Sequence, residues 1–146
     1  MRAEAKTFTI TPPHWIVDAD KLAEVDPRKL LAAIESLLNR QGARRAGGGL
    51  IAAIHGEFDP VAKQFHLHIH GVAIGAQIGV VRSIKTLPKY RFRHSRGDKR
   101  GKVRVGRKQL NNLPYPLTYI FQSSWPWMAW IGQRKRKEKQ QAKSHS

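Results

Sequence analysis

Cysteine is absent from this chain of 146 residues, so neither a disulfide nor a cysteine-ligated zinc site can form. Acidic residues are scarce: 10 Asp and Glu stand against 27 Lys and Arg, for a formal charge of +17. No apolar run approaches the ~20 residues of a membrane helix, and the first residues lack the apolar segment of a secretion signal. These absences lead us to expect a cytoplasmic protein with no membrane partner, long enough for one domain with a real core. A charge this one-sided points to a polyanion.

The charge is also unevenly placed. Residues 1–81 hold 9 Lys and Arg against 8 Asp and Glu, whereas residues 82–146 hold 18 against 2. Solubility needs no such excess; phosphate contacts do. No basic amphipathic helix with an apolar stripe is evident, which favours nucleic acid over an anionic lipid surface. The expected contacts are Arg91, Arg93, Arg96, Lys99, Arg100, Lys102, Arg104, Arg107 and Lys108, with Tyr90 and Phe92 interleaved. Trp125, Trp127 and Trp130 are expected either to pack in a core or to stack on bases.

Alternation around Phe8 and Ile10 predicts a first strand over 6–12, closed by Pro12 and Pro13. Asp26 and Pro27 open a helix that carries Leu30, Leu31, Ile34, Leu37 and Leu38 at helical spacing until Gly42. A second strand follows over 50–58, then a turn at Asp59 and Pro60, then a histidine-bearing strand to about Ile74. A short helix is expected over 80–87, a basic loop or two-stranded arm over 89–107 with a strand near Val103 and Val105, and a last helix from Pro116. The fold class expected is α+β, a central antiparallel sheet flanked by helices, with the domain over 1–131 and a basic, disordered tail over 132–146.

Residues 65–71 read Phe-His-Leu-His-Ile-His-Gly and carry the strongest chemical signal. On a strand, alternate side chains share a face, so His66, His68 and His70 project together while Leu67 and Ile69 enter the core. Imidazoles converging on one face make a metal site or an acid–base site.

This histidine–hydrophobe–histidine strand resembles the signature of the HUH endonucleases, in the branch of rolling-circle replication initiators and rolling-circle-type transposases. Residues 6–12, Lys-Thr-Phe-Thr-Ile-Thr-Pro, resemble that family's opening strand, and residues 115–119, Tyr-Pro-Leu-Thr-Tyr, resemble its paired-tyrosine motif. The resemblance covers residues 6–121. It implies that His68 and His70 bind a divalent ion, Mg²⁺ or Mn²⁺, with a third ligand from the preceding strand. His55 and Glu57 share a face there by two-residue spacing, Glu57 suiting magnesium and His55 manganese. It further implies nicking and strand transfer on single-stranded DNA or a DNA hairpin, at an origin or an element end, through a covalent phosphotyrosine. Tyr119 is the expected nucleophile, inside the presumed helix, and Tyr115 the second, because Pro114 and Pro116 restrict its backbone.

Two alternatives stand beside it. His66, His68 and His70 also resemble the triad of histidine-triad nucleotide hydrolases, whose middle histidine attacks a nucleotide phosphate; a small nucleotide gives no reason for the basic half. A basic nucleic-acid-binding protein with incidental histidines would bind in a salt-dependent way and cleave nothing.

Overall fold

Phe8 and Ile10 alternate with Thr7 and Thr9, and this period of two makes β1, Ala5–Ile10, a strand with one apolar face. The computed structural model describes residues 4–91 and 101–110, together with the backbone of 128–132. After β1 come β2 (Ile16–Asp18), a 3₁₀ turn (Ala19–Glu24), α1 (Pro27–Arg40), β3 (Gly49–Asp59) and β4 (Gln64–Ile74). Then follow α2 (Gln77–Ser83), a second 3₁₀ turn (Ile84–Thr86), β5 (Val103–Val105) and β6 (Met128–Gly132). The fold is α+β, as expected.

The sheet runs in the order β5-β1-β4-β3-β6, every pair antiparallel. β2 lies against the far end of β4, pairing Ile16 with His66, and so extends the edge that β1 occupies. β2 was not foreseen: Pro12 and Pro13 read as the end of the edge, but they only bend it before pairing resumes. The strand near Val103 and Val105 is present as β5, which pairs with β1. β6 runs to Gly132, one residue into the segment expected to be tail.

One face of the sheet carries Phe8, Ile10, Ile54, Leu67 and Ile69, all buried against the helices. α1 supplies Ile34, Leu37 and Leu38 at the spacing that keeps one helix face inward. Its ends are locally encoded. Asp26 accepts a hydrogen bond from the Arg28 amide at 3.0 Å, and Pro27 sits where a helix has no use for an N–H. At the other end the Ala43 amide donates to Leu38 and the Gly42 amide to Asn39, with Gly42 at φ +96°. This is a Schellman stop, which needs a residue free to turn left-handed. α2 is tied to that stop by Gln77, whose buried Nε2 donates to the carbonyls of Ala43 and Ala46 at 2.8 and 3.0 Å.

The β3–β4 hairpin is set by its turn. Asp59 Oδ1 accepts from the amides of Val61 and Ala62 at 3.0 and 3.2 Å, and Lys63 takes φ 51° to close it. That closure puts Asp59 opposite Gln64 and fixes the register of the whole pair. Gly71 ends the histidine run for a steric reason: a Cβ there would strike the Phe8 ring and the Ile51 carbonyl.

Candidate metal centre

The register determines which histidines meet. His55 stands directly opposite His68, and Ala53 opposite His70, so β3 and β4 present three imidazoles on the face away from the helices. The ring centroids of His68 and His70 are 4.5 Å apart, His55 and His70 4.7 Å, and His55 and His68 5.9 Å. One ligand nitrogen from each lies within 4.8 Å of the others. Nitrogens bound to one ion at about 2.1 Å stand roughly 3–3.5 Å apart, so the rings need to draw in by about an ångström.

The third member of the cluster is therefore His55. Glu57, the other residue expected there, lies one strand step toward the hairpin tip, opposite His66, and is exposed. It acts on the cluster through its charge, which favours protonated His68, rather than by joining it. His66 lies outside the trio too. Its Nε2 is 3.9 Å from Asp59 Oδ2, a loose and exposed pair at the hairpin end.

Burial and neighbouring cations favour the neutral form of His68 and His70. His70 is pushed down to about 4, first by desolvation and then by His68, His55 and Arg104. His68, 7 % exposed, is lowered chiefly by desolvation, against a contrary pull from Glu57. Neutral imidazole is the form that binds a metal, so near neutral pH little proton loss is needed for His68 and His70 to act as ligands.

A contact from the neighbouring strand orients the site. Thr9 Oγ1 lies 3.0 Å from His70 Nδ1, across the β1–β4 pair in which these two residues face each other. With Nδ1–H donating to that hydroxyl, Nε2 carries the lone pair free for a ligand bond. Thr9 was not singled out in the sequence. Its only signal there is its place beside Phe8 and Ile10, and the partner it meets depends on non-local register.

Among the described cationic residues expected to touch nucleic acid, Arg104 is the one the sheet carries toward the histidines. It faces Thr9 on β5 and depresses both His68 and His70. Lys102 donates to the Lys89 carbonyl at 3.0 Å, and Arg91 Nε to the Thr86 carbonyl at 3.1 Å, so both also brace the fold. Arg107 and Lys108 are exposed beyond β5. Arg93, Arg96, Lys99 and Arg100 lie outside the described residues, as do Tyr115, Tyr119, Trp125 and Trp127. Trp130 belongs to β6 by its backbone, opposite Ile51.

The described backbone on either side of the tyrosine segment meets the sheet at one apolar patch. Leu110 packs against Ala5, Ala53 and Val72, and Met128 pairs with Ala53, the residue opposite His70. Among the described residues no helix is long and apolar enough to cross a membrane. Compared with protein-family models, with curated proteins and with solved structures, the chain matches none.

Proposed function

We propose that this chain is a metal-dependent nuclease of the HUH type, which nicks and transfers single-stranded DNA through a tyrosine. The observation that carries the reading is the trio of His55, His68 and His70 on paired central strands, with cationic Arg104 beside it. Three imidazoles without a carboxylate suit a transition-metal ion, Mn²⁺ among them, better than Mg²⁺, which demands oxygen ligands. A bound divalent ion supplies Lewis acidity toward the scissile phosphate.

The chain's own residues do the rest. His55, His68 and His70 would hold the ion, with Thr9 orienting His70, and Arg104 offers a cation to a phosphate oxygen on the same face. The Tyr119 hydroxyl attacks phosphorus, forming a tyrosine–phosphate bond as the strand's P–O bond breaks and the leaving oxygen takes up a proton. The bond energy is retained, so a strand can be rejoined without a nucleotide cofactor. Leu110 and the Met128 backbone, the described residues nearest the tyrosines in the chain, both meet the sheet near Ala53, the residue opposite His70, and this supports the reading.

The test is incubation with single-stranded oligonucleotides and Mn²⁺, followed by a denaturing gel. A covalent protein–DNA band that requires the ion supports the reading. Salt-sensitive binding with no band favours the non-catalytic alternative. Release of a mononucleotide from nucleotide conjugates, lost in His68→Ala, would favour the histidine-triad hydrolase, although His68 is 7 % exposed and offers little of its ring for attack.

A further inference from the structure

On the helical side of the sheet, away from the histidines, α1 and the turn at residues 87–90 enclose a cavity of about 540 Å³. Its floor includes Trp15, Leu37 and Tyr90, and its rim carries His14, Arg40 and Lys89. None of the residues lining it is acidic. Trp15 and Tyr90 line the cavity but are only 5 % and 7 % exposed, so the core holds both rings in place and a small part of each faces it. Burial raises the Tyr90 phenol against the opposing charge of Arg40, which keeps it a hydroxyl that can donate. Ala33 on the α1 wall is exposed and leaves the entrance open.

We infer that this cavity takes one nucleotide of a single-stranded nucleic acid, its base against Trp15, Leu37 and Tyr90 and its phosphate at Arg40 and Lys89. The size suits a compact group rather than a helix, within the range of about 300–1,000 Å³ usual for small-ligand sites. An apolar floor with Arg40 and Lys89 at the rim and no carboxylate matches a base joined to a phosphodiester, and aromatic contact with a base tolerates any sequence. Charge complementarity selects the occupant: the rim has no carboxylate, and residues 82–146 hold 18 Lys and Arg against 2 Asp and Glu. The inference rests on the nucleic-acid part of the proposed function and is independent of its metal chemistry. Strand held here would be anchored at a distance from the histidine face, so the site grips and does not cut.

The experiment uses the full chain and a short oligothymidylate carrying iododeoxyuridine. Ultraviolet cross-linking followed by peptide mass mapping should place adducts on Trp15, Tyr90 or His14. In titrations, Ala33→Trp, which fills the entrance, and Arg40→Glu should each weaken binding by about tenfold, the loss of one stacked base or its phosphate. Arg44→Glu makes the same charge change just past the end of α1 but outside the cavity, and should weaken binding far less. Thermal melts of each variant check the fold, and the cross-link map on the unaltered chain stands whether or not a variant folds. Adducts confined to other residues, or equal losses from Arg40→Glu and Arg44→Glu, would overturn the cavity. Thymidine monophosphate competing as well as the oligonucleotide would reassign it to a free nucleotide. If the unaltered chain binds no oligonucleotide at low salt, the nucleic-acid reading itself fails and takes this inference with it.

Discussion

Thr9 and His70 face each other across β1 and β4, with the hydroxyl oxygen 3.0 Å from the imidazole Nδ1. The contact adds a side-chain link to the β1–β4 pairing, and with Nδ1–H donating to the hydroxyl it leaves Nε2 of His70 free for a ligand. Thr9→Ala should therefore lower Mn²⁺ affinity about 10- to 100-fold, measured by calorimetry, while the thermal midpoint changes little. Thr9→Ser keeps the hydroxyl and should restore most of the affinity. Equal affinity in Thr9→Ala would show that the contact does not orient a ligand.

The third ligand can be assigned by substitution. His55→Ala, His68→Ala and His70→Ala should each abolish ion-dependent cleavage and leave oligonucleotide binding largely intact, since the cationic half provides most of the affinity. Glu57→Gln, by contrast, should retain cleavage, because Glu57 stands outside the trio. Loss of cleavage in Glu57→Gln with retention in His55→Ala would reverse the assignment.

Replacing the attacking oxygen alone distinguishes the tyrosines. Tyr119→Phe should eliminate the covalent adduct and preserve binding, while Tyr115→Phe should at most impair a second strand transfer. Persistence of the adduct in the double variant on a denaturing gel would rule out tyrosine chemistry.

Acid should destabilise the apoprotein through the histidines. His70 titrates at about 4 in the folded chain against an ordinary 6.5, and His68 is lowered as well. As pH falls, the unfolded chain takes up these protons first, so the stability is full above 6.5 and drains away toward 4. The thermal midpoint should fall over that window, and less steeply in His70→Gln. Excess Mn²⁺ should move the loss to lower pH, because metal and proton compete for the same nitrogens. A wild-type slope identical to that of His70→Gln would remove His70 from the account.

Salt dependence reports the phosphate contacts. The logarithm of affinity for single-stranded DNA should fall against that of salt by about 0.7 per phosphate neutralised. Deleting residues 133–146, beyond the end of β6, should reduce this slope without moving the nick. A displaced nick would mean that those residues read sequence.

Local chemistry made much of this readable from the chain alone. Asp26, Pro27 and Gly42 bound α1 because capping, a proline at the first turn and a left-handed stop act within a few residues of each other. The alternation at residues 65–71 placed His68 and His70 on one face for the same reason: a period of two is a property of a single strand. Glycine and proline punctuation located β3, β4 and the hairpin between them. The choice of His55 over Glu57 was not local. It depends on a register set by the Asp59 turn and locked by the core, and a slip of one residue would send His55 to the other face. The same holds for Thr9 and Arg104, which meet the histidines only because β4, β1 and β5 lie side by side. Ring separations, desolvation and the aromatic cavity beside α1 likewise exist only once distant segments pack, since burial is a property of the assembled layers and not of any stretch of chain.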